Sequence, residues 1–143
     1  MTASIGATVA ALKVPGRPNE TTLRFLTDDT CVALVRREGA AAHPDKHAWI
    51  GLSRPPYQDW VWKDSGFQIG GPNFIVLPGE TMIAGGRKHT EPGGAKTAIG
   101  LLTREAYLPL VTLPSGGDNS YPGFVWHDDL LWGQLLLLAR RQE

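Results

Sequence analysis

Residues 18–37 read PNETTLRFLTDDTCVALVRR, and residues 72–87 read PNFIVLPGETMIAGGR. Each opens on Pro-Asn, runs through an apolar stretch, breaks at a turn rich in Asp, Pro or Gly, and resumes in a second apolar stretch ending on arginine. Branched and aromatic residues suit a pleated surface, and the turn residues interrupt it, so each stretch predicts a β-hairpin. The pattern begins a third time at Pro122, inside SYPGFVWHDDLLW. Outward from the hairpins, Ala48-Trp49-Ile50-Gly51-Leu52 recurs 49 residues on as Thr97-Ala98-Ile99-Gly100-Leu101. Arg36 has its counterpart in Arg87 after 51 residues, and matching the Pro-Asn pairs sets Asn19 against Asn73 after 54.

The expected strands are TTLRFL, CVALVRR, HAWIGL, WVWK, NFIVL, TMIAGGR, TAIGLL, LPLVTL and GFVWH, separated by segments that hold most of the 17 Gly and 11 Pro. A repeat of about 50 residues carrying four strands is the pattern of a β-propeller blade. The units run over 18–66 and 70–114, with a partial one over 115–143. Within ATVAALKV (7–14), residues 8–14 add an orphan outer strand. The expected fold is therefore all-β, a propeller fragment of about two and a half to three four-stranded blades in a single domain.

At 143 residues and 42% hydrophobic content, the chain can bury one core. Fourteen Lys plus Arg balance fourteen Asp plus Glu, so no electrostatic footprint for nucleic acid or an anionic membrane is expected. No stretch reaches the roughly 20 apolar residues of a membrane helix. MTASIGATVAALKV lacks a basic start followed by a sustained apolar block, which predicts no signal peptide and a cytoplasmic location by default. Cys31, the single cysteine, sits in CVALV and reads as a core thiol. His43, His47, His89 and His127 read as loop or turn residues without ligand spacing, so neither a metal nor any other cofactor is expected. Glu91-Pro92-Gly93-Gly94 reads as a loop tip, since no Lys-Ser/Thr pair follows to open a phosphate-binding helix.

The stretches GRPNETTLRFLTDDTCVALVRREG (16–39), AWIGLSRPPYQDWVWKDSGFQIGGPNFIVLP (48–78) and VTLPSGGDNSYPGFVWHDDLLW (111–132) resemble the closing half of six-bladed sialidase-like propellers, the exo-alpha-sialidase or neuraminidase-like group. The resemblance covers roughly residues 10–132, and GGPNF and SGGDNSYPG are its most specific parts. The Asp-box of that group, Ser-x-Asp-x-Gly-x-Thr-Trp, is absent; PPYQDWVW is a degenerate relative of it.

The ending DDLLWGQLLLLARRQE departs from the family. When residues 133–142 are back-translated and one G is removed after the Trp132 codon, the new frame reads Val-Ser-Tyr-Tyr-Ser-Ser-His-Glu-Gly, the family's usual continuation. A frameshifted C-terminus is the expectation. The tail still fits either a second strand of the third unit or a terminal helix, and its four-leucine run is expected to be buried in both cases.

The resemblance implies an axial site in which arginines hold a sugar carboxylate, an acidic group tunes a tyrosine, and the tyrosine acts as nucleophile. By position in the repeat the candidates are Asn19, Glu20, Arg36, Arg37, Glu38, Asn73, Arg87 and Tyr121. Each also has a structural alternative. Arg36-Arg37-Glu38 can be a solvated ion-pair cluster, the asparagines can be turn caps, and Tyr121 can be a packed aromatic. Half a set of blades holds at most half of a convergent site. The preferred expectation is accordingly a non-catalytic half-propeller that closes to six blades as a homodimer, its orphan strand completing the partner's third blade. The alternative is a glycoside hydrolase or glycan-binding propeller acting on an acidic sugar.

Overall fold

The computed structural model describes residues 13–90, 94–114 and 119–137. Ten strands form three antiparallel sheets, and among the described residues there is no α-helix. The first sheet joins β1 (Pro18–Phe25), β2 (Cys31–Arg37), β3 (Trp49–Ser53) and β4 (Val61–Asp64) in chain order. The second joins β5 (Gly70–Val76), β6 (Met82–Thr90), β7 (Gly94–Leu102) and β8 (Tyr107–Thr112) in the same way. The third is a pair, β9 (Asn119–His127) and β10 (Leu130–Leu137).

The turns form where the sequence breaks. Leu26 N–H donates to Thr30 O at 2.9 Å, and the Asp28 side chain accepts from Thr30 N–H inside that turn. Leu77 N–H donates to Thr81 O at 2.8 Å in the equivalent place. The third hairpin is tighter. Asp128 and Asp129 both adopt positive φ, 50° and 56°, the two-residue turn whose twist matches that of its strands.

The main core lies between the first two sheets. Val32, Leu34, Ala48 and Ile50 from one side meet Ile69, Phe74, Met82, Ala84, Leu102 and Tyr107 from the other. On the opposite face of β2, Ala33 and Val35 pack with Val14, Trp49, Trp60 and Trp62. β2 is thus covered on both faces, which is why CVALV is a continuous apolar run rather than an alternating one. Cys31 is buried there, as its setting suggested, and burial pushes its thiol pKa up.

The third sheet stacks on the second, with Phe124 and Pro122 against Gly85. Its far face is bare: Val125 is 60% exposed and Trp132 58%. The tail takes the strand alternative, since β10 pairs with β9 through Leu131↔Trp126 and Gln134↔Gly123. The expected burial of the four-leucine run lies outside the described side chains. Of the orphan strand expected over 8–14, only Lys13 and Val14 are described, and neither is in a strand; the rest lies outside the described residues.

Two expectations need correction. Asn73 does not stand where Asn19 does: Asn73 pairs with Gly85, whereas the residue facing the equivalent Leu34 is Thr22. The shared Pro-Asn is a local coincidence, because the register is set by the β2 and β6 ladders. In addition, His89 lies within β6 rather than in a loop or at a turn, whereas His127 ends β9 at the Asp128-Asp129 turn, as expected.

Candidate functional site

Each sheet's first strand slips register near its start. The slip falls between Pro18 and Thr21 in β1 and between Gly70 and Asn73 in β5; in the third sheet it is opposite Tyr121 and Pro122, between Gln134 and Leu136. A bulge leaves residues unpaired and re-aims their side chains. Here it brings Glu20, Gly71 and Tyr121, one residue from each sheet, to a common point.

The Tyr121 hydroxyl donates to Glu20 Oε1. Glu20 Oε2 accepts from Arg36 Nη1 at 2.7 Å and from the Gly71 backbone N–H at 2.9 Å. Arg36 Nη2 lies 2.5 Å from Glu38 Oε1, and Glu38 is steadied by Asn19 Nδ2 at 3.0 Å. The Arg87 side chain lies over Gly70, where a Cβ would come within 3.0 Å of its Nε, and its positive charge acts on Tyr121.

Gly71 is the hinge of this arrangement. Its φ is 54°, and a Cβ there would fall 2.8 Å from Ser120 Cβ and 2.9 Å from Tyr121 N. Only a residue without a side chain allows β9 to come this close while turning its N–H to Glu20. Tyr121 itself has φ 55°, a conformation costly for a bulky residue and held here by its surroundings. Its ring is half exposed.

Charge tunes both partners. Burial opposes ionisation of Glu20, but hydrogen bonds from Tyr121, Arg36 and the Gly71 amide outweigh it and hold the carboxyl below its ordinary range. Tyr121 shifts upward, chiefly because its hydroxyl is committed to Glu20 and also through burial and the Glu20 charge; Arg36 and Arg87 oppose that shift. The resting pair is a carboxylate accepting from a neutral phenol. An incoming anion that engaged the arginines would meet a tyrosine whose proton already points at a base.

Of the eight sequence candidates, Asn19, Glu20, Arg36, Glu38 and Tyr121 form one hydrogen-bonded cluster, with Arg87 beside it. Arg37 and Asn73 are not in it. Arg37 follows Arg36 in an extended strand and so points to the other face, where it is 1% exposed. There it bonds Pro15 O and Asp45 Oδ1, each at 2.6 Å, and lies 4.6 Å from the Trp49 ring centre. Asn73 ties the sheets together, accepting from Arg24 Nη2 at 3.1 Å and donating to Pro122 O at 2.7 Å. Residue types alone did not single out Gly71 or Gly70. The signal available was the double glycine directly before the strand-opening proline, where a bulge and a close backbone approach are cheapest.

The histidine expectation also changes. Asp45, His47 and Asp64 bring ligand-type atoms within 4.8 Å of one another. Both carboxylates are already engaged, Asp45 by Arg37 at 2.6 Å and Asp64 by His47 Nδ1 at 3.0 Å. Compared with known proteins, the chain matches no family model, no curated protein and no solved structure.

Proposed function

We propose that the Tyr121–Glu20–Arg36–Arg87 cluster is half of a site for an acidic sugar, carried on a half β-propeller that closes with a second copy of the chain. One observation carries the reading: a neutral tyrosine donates to a carboxylate that an arginine and a backbone amide hold ionised, with groups from three sheets converging. Arginine's planar fork suits a sugar carboxylate. In a retaining hydrolysis Tyr121 Oη would bond to the anomeric carbon as its proton passes to Glu20. The departing oxygen would take a proton from an acid supplied by the rest of the ring, and water would then release the sugar.

The assembly part rests on the bare third sheet. Among the described residues two sheets have four strands and the third has two, with no strand paired to the outer edge of β10 and with the apolar residues Val125 and Trp132 exposed. Exposed edges and apolar faces of this kind are normally paired. In the proposed ring, the 8–14 segment of each copy adds to the third sheet of the other, giving six blades with C2 symmetry. The resemblance to sialidase-like propellers supplies the blade number.

A non-catalytic reading of the same ring is favoured by a different observation, that Arg36 is already held by Glu20 and Glu38 and so is satisfied without ligand. A fluorogenic sialoside decides between the two. The catalytic reading expects turnover by the wild type that falls at least about a thousandfold in Tyr121→Phe and Arg87→Ala; absence of turnover in an assembled dimer leaves the scaffold reading. Light scattering tests the assembly itself. The expected mass is about twice the 15.5 kDa chain, reverting to one chain on deletion of residues 1–14; a stable monomer, or a deletion that still dimerises, removes the strand-exchange proposal.

A further inference from the structure

A cleft of about 340 Å³ opens between the first and second sheets and is lined by Pro44, Lys46, His47, Gly66, Phe67, Gln68, Lys88 and His89. Three segments build it: the β2–β3 connection, the β4–β5 connection and the end of β6. Backbone bonds join the first two of these segments, with Ala48 N–H donating to Phe67 O at 2.8 Å and Ser65 N–H to Ala48 O at 3.0 Å. The Phe67 ring packs edge-on against Tyr107, 6.0 Å between centres.

The charges in this cleft are unbalanced. Lys88 of β6 is paired directly opposite Lys96 of β7, an arrangement of like charges that destabilises a sheet. Among the described residues, Lys46, Lys88 and Lys96 make no ion pair. The nearby carboxylates serve other groups, Asp45 serving Arg37 and Asp64 serving His47 and the Gly66 amide. The first sheet makes the contrast plain. Lys88 follows Arg87 as Arg37 follows Arg36, and at that equivalent position Arg37 has a carboxylate bound to it.

We propose that this cleft binds a tetrahedral oxyanion, a sulfate or phosphate group. Lysine ammonium groups act as compact point charges and suit an anion with oxygens on every side, whereas a planar carboxylate is better matched by the arginine fork. Gln68 offers a neutral amide donor around the same anion, whereas His47 lines the cleft with its Nδ1 already engaged by Asp64. This site is separate from the Tyr121 cluster and does not depend on how that cluster is used.

The test is an amide NMR titration of the full chain with sodium sulfate at constant ionic strength held by sodium chloride. A parallel titration uses N-acetylglucosamine 6-sulfate, with N-acetylglucosamine as its uncharged control. The expected result is saturable shifts at Lys46, His47, Phe67, Gln68, Lys88 and His89. Affinity should fall about fivefold or more in Lys88→Gln and again in Lys46→Gln, the size of one lost charge contact, while Lys63→Gln, outside the cleft, binds as wild type. Equal affinity for sulfate and the sugar sulfate identifies a free anion as the ligand, and tighter binding of the sugar sulfate identifies a sulfate ester. Shifts that do not saturate, that map elsewhere, or that persist unchanged in both cleft variants overturn the proposal.

Discussion

Arg36-Arg37 in β2 and Arg87-Lys88 in β6 are the same two positions in successive sheets, and the molecule treats them differently. The first of each pair faces the next sheet and reaches the Tyr121 cluster. The second faces back. In the first sheet that backward residue is almost fully buried, its guanidinium held by Asp45, Pro15 O and His47 O and laid against Trp49. In the second sheet it is a part-exposed lysine opposite another lysine. Equivalent backbone therefore does not fix equivalent chemistry. A buried cation must be compensated by bonded acceptors, whereas an exposed one is compensated by water or by a ligand.

The sharpest way to break this comparison is to neutralise both backward residues. Arg37→Ala is expected to cost about 3 kcal/mol in urea unfolding, because it removes a fully packed side chain and strands its acceptors. Lys88→Ala should stay within about 0.5 kcal/mol of wild type, or be slightly more stable, because it relieves the Lys96 repulsion. Equal costs would show that the two positions are not energetically distinct.

A smaller effect is expected at the forward-facing cluster. Gly71→Ala forces a Cβ to within 2.8 Å of Ser120 and adds strain at a φ of 54°. We expect a loss of about 2 kcal/mol together with displacement of β9 from Glu20, seen as loss of chemical-shift coupling between Tyr121 and Glu20. An unchanged Tyr121 environment would mean that the close approach at Gly71 does not position the tyrosine.

The smallest expected effect is on pH dependence. Glu20 is depressed in the folded chain, so its contribution to stability is present above the ordinary glutamate pKa and disappears as pH falls through the lower folded value. Glu20→Gln should therefore flatten the acid limb of the stability profile and leave the neutral region nearly parallel to wild type. It should also bring the Tyr121 phenol back down toward the ordinary range, since the bond to Glu20 is the main cause of its rise. In a spectrophotometric titration this separates Tyr121 from buried Tyr107, which burial pushes up to about 12 in either protein.

The strands were legible because the signals for them are local. Runs of four to seven residues, broken at the hairpins by DD, PGE and DD, locate nine of the ten strands, and burial of β2 on both faces follows from its unbroken run. The tail was ambiguous because four leucines satisfy a helix as well as a strand; it became β10 when β9 offered an edge. The Pro-Asn match misled for the opposite reason. Identical dipeptides carry no information about register, which depends on how far each bulge shifts the chain.

By itself the sequence determined the all-β class, the order of the strands, the turn positions and the residue types available for a charged site, because propensity, periodicity and turn chemistry act over a few neighbouring residues. Tertiary structure alone decided that Arg36 meets Glu20 while Arg37 is buried behind it, that Asn73 links three sheets instead of joining the cluster, and that Tyr121 comes to Glu20 from 101 residues away. Those outcomes depend on the stacking of three sheets and on Gly71 letting two of them touch. No local pattern encodes a distance between separate sheets.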